Sequence, residues 1–179
     1  MLMNTRDAYG WIARLLHWLV AALAIGMLLG GSVMAILPSG SLKSFVIGIH
    51  KSTGVIILLT MIVRLVWRAN NPVPRPLGPN PLLNYVAHLL HITFYILLIL
   101  QPLAGILMSQ AYGYSVAVFG LFTLPPLVWQ SAALGAFFGK VHTVVALMLV
   151  VTIVVHVAAA LKHHFIDGDG TLMRMVKGR

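Results

Sequence analysis

Four long apolar stretches, at roughly 15–37, 44–67, 82–108 and 136–161, dominate this chain, and each is close to free of charge. Each exceeds the about 20 residues that a helix needs to cross the hydrocarbon core of a bilayer. In that solvent the backbone must satisfy its own hydrogen bonds, so uninterrupted apolar runs of this length can only be helices. They predict an all-α integral membrane four-helix bundle, a single domain over residues 1–179. Composition agrees. Only 8% of the residues are charged, against about 25% in soluble domains, and 179 residues leave no room for a separate soluble catalytic unit. The first run is too long for a signal-peptide core and lacks a small-residue cleavage site after it. It is therefore expected to stay in the mature protein.

A net charge of +9 suggests nucleic acid until the positions of the charges are considered. Arg6, Arg14, Arg64, Arg68, Arg75, Lys162, Arg174, Lys177 and Arg179 fall on one side of the four spans, and Lys43, Lys51 and Lys140 on the other. That bias reads as a topology signal for a multi-pass membrane protein with both termini cytoplasmic. No nucleic-acid partner is expected. The chain has no cysteine, which excludes disulfides, iron–sulfur clusters and covalently attached haem.

The connection at 70–81 carries five prolines and cannot be helical. Residues 109–135 are harder to place. Val116–Leu124 is apolar, but Pro125-Pro126 interrupts it well short of a span. The segment is expected to be an outer loop with interfacial helical pieces.

Eight histidines, several inside the apolar runs, are the unusual feature, because ionisable groups there are costly and point to a function. His142 and His156 are fourteen residues apart. At about 100° per residue they share one face of span four, separated by about 21 Å along its axis. Each could supply one axial ligand to one of two stacked haems. His50, near the outer end of span two, matches His142 in depth; His17, near the inner end of span one, matches His156. A lone histidine of this kind often just hydrogen-bonds a neighbouring helix; four paired by depth are harder to explain so. Zinc is a weaker competitor, since three acids and no cysteine are available. His88 and His91, three apart in span three, are rivals to His17 as partner of His156, or else contact haem propionates or a quinone. His163-His164, beside Lys162, are either interfacial residues or a proton-handling group near a quinone. Arg14 and Arg64 could pair with propionates or lipid phosphates. Lys43, Lys51 and Lys140 snorkel to the interface or guide a small anion.

Arg14-Leu-Leu-His17-Trp18, Ile49-His50, Met61-Ile-Val-Arg64-Leu, Ala87-His88-Leu-Leu-His91, Pro102-Leu-Ala-Gly105, His142, His156, His163-His164 and the closing Gly170-Thr-Leu-Met-Arg174-Met175 occur in this order over nearly the whole chain. The ordered set resembles the bacterial cytochrome b561 family, most of all its short stand-alone superoxide:ubiquinone oxidoreductases. The resemblance implies two haem b groups per chain, the inner held by His17 and His156 and the outer by His50 and His142. It also implies an oxidoreductase that oxidises superoxide on the outer side and reduces ubiquinone near the inner haem, with His163 at the quinone site. Apolar residues 109–135 and Lys51 depart from the family pattern, both on the outer face. Cytochrome b subunits that pass electrons from a partner hydrogenase or dehydrogenase to quinone carry related histidine patterns and are the alternative.

Overall fold

A computed structural model describes residues 1–178; Arg179, counted above among the basic residues, lies outside them. The chain forms α1 (Trp11–Ile36), α2 (Ser41–Ala69), α3 (Pro81–Ala111), a short hairpin of β1 (Ala117–Val118) and β2 (Phe122–Thr123), α4 (Ala132–Phe165) and α5 (Thr171–Val176). Four of these helices are long and apolar enough to cross a membrane. Their surfaces carry large apolar side chains such as Leu29, Val63, Ile96 and Val154, as lipid-facing helices do. Several serines and threonines within the helices satisfy their hydroxyls on the preceding turn, Thr60 donating to the Ile56 carbonyl and Thr152 to that of Met148.

The helices run up and down, so both termini lie at one end of the bundle and the β1–β2 hairpin at the other. Extensive helix contacts join α1 to α2, α2 to α3 and α3 to α4, whereas α4 stands off from α1 and α2. One apolar layer closes that gap at mid-height. Val20 and Ala24 of α1, Ile57 and Met61 of α2, Leu97 and Leu98 of α3 and Val145 and Leu149 of α4 meet there. Met61 is 1% exposed and Val20 2%. Above and below this layer the bundle is hollow.

The terminal end is closed by backbone. The first ten residues fold across the start of α1, where Asn4 accepts from the Gly10 amide and donates to the Pro72 carbonyl. The proline-rich 70–80 connection is non-helical, as its composition requires, and the Arg75 amide bonds Arg6 O at 2.8 Å. Pro81 belongs to α3 rather than to the connection. It stands at the first turn, where a missing N–H costs nothing, behind the Asn80 cap that accepts from Leu82 and Leu83. Arg14 donates to the Met175 and Val176 carbonyls and Trp18 to Met175 O, which straps α5 under the bundle.

Residues 112–131 hold no helix, which corrects the expectation of interfacial helical pieces. The reason is local. Gly113 and Gly120 have positive φ, Phe119 has φ 49°, and Pro125-Pro126 denies the amides a helix would need. The segment folds instead as a hairpin with Val118 opposite Phe122, the Leu121 amide returning to Val118 O. Val116 and Val118 pack on Val55 and Ile106, and the buried Ser52 hydroxyl accepts from the Phe119 amide at 2.9 Å.

Gln110, buried at the end of α3, holds the arm that follows. It donates to Pro125 O at 2.9 Å and accepts from the Leu127 amide at 2.8 Å. Gln110→Ala should strand both groups and cost about 1–3 kcal/mol. A lowered thermal midpoint and new protease cleavage near residues 124–127 would register it; an unchanged midpoint would show that water replaces the amide.

Candidate functional site

Two cavities occupy the hollow ends of the bundle. The one at the hairpin end, about 670 Å³, is lined by His50, His142, Gly54, Gly105, Gln101 and Lys51 among others. The one at the terminal end, about 570 Å³, is lined by His17, His91, His156, Arg64, Trp67 and Tyr95 among others. Ala24 and Leu98 of the mid-height layer border both. The fourteen-residue spacing on α4 thus puts His142 in one cavity and His156 in the other, with Val145 and Leu149 between them.

At the hairpin end the His50 and His142 ring centres are 6.3 Å apart. Two rings on one metal should stand about 6 Å apart, from two metal–nitrogen bonds of about 2 Å and two half-rings of about 1 Å. His142 donates from Nδ1 to the Gln101 carbonyl at 3.0 Å, which sets its tautomer and leaves the Nε2 lone pair facing the cavity as an acceptor. The Gln101 side-chain amide lies 3.3 Å from that Nε2. His50 Nδ1 and Gln101 Oε1 are buried without a partner, atoms that a polar or metallic group in the cavity would satisfy. Glycines make the room. A Cβ on Gly105 would stand 3.0 Å from His142 Cε1, and one on Gly31 3.5 Å from His50 Cε1. These residues fit an iron porphyrin.

At the terminal end His156 has two candidate partners, His17 with ring centres 6.2 Å away and His91 at 6.0 Å. Phe94 stacks edge-on against His156 at 5.2 Å. Arg64 donates to His17 Nδ1 at 2.9 Å. Tyr95 lies under both Arg64 and Arg68, 5.7 and 5.6 Å from its ring centre. Tyr9, on the segment before α1, borders the same space. Burial pushes its phenol up, against the lowering effect of Arg68 and Arg64.

The remaining candidates separate. His88 is exposed on the α3 surface and lines neither cavity, because three residues along a helix turn it about 60° away from His91. His163 also lies outside both cavity linings. Its Nδ1 is 2.7 Å from Asp169 and 3.2 Å from Asp167, and Lys162 bonds Asp167. Burial would raise the Asp169 carboxyl, but hydrogen bonds from Thr171 and His163 outweigh it and hold it below its ordinary value. Lys43 donates to Leu37 O, at the end of α1, and Lys51 to Ser115 O. Gln101 was invisible to the sequence reading; the only available hint was its place beside Pro102, where the helix ladder is interrupted.

Comparison with known proteins bears on the whole chain. A family model described as prokaryotic cytochrome b561 matches residues 8–178. The chain is 36% identical over 181 residues to cytochrome b561 homolog 2 of Escherichia coli (strain K12), covering 97% of this chain and 93% of that protein. It is 32% identical to the probable superoxide oxidase CybB of Yersinia pestis, over 90% and 91% of the two chains. Cytochrome b561 homolog 1 of Escherichia coli (strain K12) is 31% identical over 73% and 74%.

Gly105→Ala should press on the His142 ring and leave the terminal-end cavity alone. The measurement is the reduced-minus-oxidised absorption spectrum of the bound haem, which is expected to shift. An unchanged spectrum would mean that α3 yields to the methyl group.

Proposed function

The chain belongs to the prokaryotic cytochrome b561 family, and from that premise we propose that it is a di-haem cytochrome b oxidising superoxide and reducing ubiquinone. Membership implies haem b binding and redox activity in a multi-pass bacterial membrane protein. The finer reading assigns His50 and His142 as ligands of one haem and His17 and His156 as ligands of the other. The hairpin end faces outward and both termini face the cytoplasm, across the inner membrane. One observation carries it: two cavities stacked along α4, each crossed by a histidine pair with ring centres 6.2–6.3 Å apart. His17 rather than His91 is assigned to His156 because the family resemblance implies that pair as the ligands and because the two match in depth; His91 then borders the porphyrin.

Haem iron held by two imidazoles supplies one-electron transfer and leaves no open position for oxygen. The chain's own residues do the rest. The mid-height layer of Val20, Ile57, Met61, Leu97, Val145 and Leu149 keeps water out between the two centres. Among the described residues Lys51 is the one lysine or arginine lining the hairpin-end cavity, and it attracts a small anion to it. Two superoxide anions each lose an electron and leave as dioxygen, and ubiquinone takes up two electrons and two protons. His163, with Nδ1 occupied by carboxylates, has Nε2 for proton delivery to that quinone.

The alternative is an electron-carrier subunit that takes electrons from a partner oxidoreductase. The hairpin region favours it. Residues 109–139 contain no charged residue, and Leu121 and Trp129 are 81% and 75% exposed.

The test uses right-side-out membrane vesicles and purified protein. Superoxide generated outside should reduce ubiquinone with the chain alone, and haem quantitation should give two haems per chain. His17→Ala, His50→Ala, His142→Ala and His156→Ala should each lose or perturb one of them. Activity that appears only with a copurifying oxidoreductase selects the carrier reading. A haem lost on His91→Ala and kept on His17→Ala reverses the pairing at the terminal end.

A further inference from the structure

Arg64, Trp67 and Arg68 stand at i, i+3 and i+4 on one face of α2, and all three line the terminal-end cavity. The cavity is otherwise mostly apolar, and among the described residues no carboxylate lies within ion-pair distance of either guanidinium. The three ion pairs formed involve only Lys162, His163, Asp167 and Asp169. Charge held in such a space without a counter-ion is costly. A third donor waits beside them, since Trp67 Nε1 is buried and has no hydrogen-bond partner. Tyr9, from the segment folded across the start of α1, borders the same corner.

Two further observations narrow what this corner takes. Arg14, the other arginine near this end of α1, is not available to it, because its guanidinium is spent on the Met175 and Val176 carbonyls. Arg64 is bonded to His17 Nδ1. A guanidinium can only donate, so this bond puts the proton of a neutral His17 on Nε2, the nitrogen that ligation through Nε2 requires bare. His17 can bind a metal through Nε2 only when Arg64 releases it, and an oxyanion gives Arg64 a stronger partner to turn to.

We propose that Arg64, Arg68 and Trp67 form a seat for a carboxylate or phosphate group in the terminal-end cavity. The occupant is the carboxylate side chains of the porphyrin whose iron His17 and His156 hold. The shared cavity argues for that source over a lipid phosphate, because one molecule reaches both the histidines and the guanidiniums. The source, though not the oxyanion seat, rests on the di-haem reading above.

The experiment compares purified wild type, Arg64→Leu/Arg68→Leu, Arg64→Lys/Arg68→Lys and Arg14→Leu. Haem transfer to excess apomyoglobin, the propionate-bending region of the resonance Raman spectrum and bound phospholipid by native mass spectrometry are read for each. The leucine pair should release one of the two haems at least about tenfold faster, the loss of a charge-assisted hydrogen bond, and lose one propionate band. The lysine pair should fall between it and wild type, and Arg14→Leu should keep the wild-type band. Where the leucine pair loses both haems and so fails to fold, the lysine pair decides by its shifted band. Unchanged release and an unchanged band in a two-haem variant overturn the proposal. Loss of a tightly bound phospholipid, with both haems unaffected, overturns the porphyrin as the source. A wild type with no haem at the terminal end sinks the di-haem reading itself and the porphyrin source with it.

Discussion

Imidazoles inside hydrocarbon need partners, and the architecture of this bundle follows from giving partners to two of them on one helix. His142 and His156 share a face of α4, so whatever occupies them must lie between α4 and the helices opposite. α4 accordingly stands off from α1 and α2, and the two resulting cavities are kept apart by a single layer of apolar side chains from all four helices. Burial of that layer is what holds the bundle together at mid-height. A bundle packed tightly along its whole length would have no room for the histidines to do anything but bond each other.

The two ends of the molecule are built differently around these cavities. At the hairpin end the polar groups around the histidines are neutral, a Gln101 carbonyl that orients His142 and an amide beside its other nitrogen, with a single lysine at the border. At the terminal end the groups are cationic and aromatic, with Arg64 and Arg68 sharing the face of Tyr95. That asymmetry gives the two cavities unequal electrostatic fields, the terminal end being the more positive.

Much of this was legible in the linear chain. Span number came from run length, the common side of the termini from an even number of crossings, and the shared face of His142 and His156 from helical geometry alone. The depth match of His50 with His142 and of His17 with His156 needed only the order of the spans. Other features were not legible. His88 and His91 lie on nearly the same face by spacing, yet one borders the cavity and the other faces outward, because the edge of a cavity can fall between residues only 60° apart. Arg14 and Arg64 looked equivalent until α5 was seen to occupy the first. Helical pieces expected in 109–135 gave way to a hairpin, since two positive-φ glycines and a Pro-Pro pair outweigh apolarity.

What the sequence determined by itself is therefore the solvent, the number of crossings and the depth of each histidine. Hydrocarbon thickness and the helical rise are fixed lengths, and position along a span converts directly into position across a membrane. What only the tertiary structure decided is which side chains at one depth meet: His17 and His91 both beside His156, Arg64 on His17, Gln101 on His142. Depth is one coordinate read along each helix, whereas contact also depends on how each helix is rotated about its axis. That rotation is set by the packing of all four helices at once.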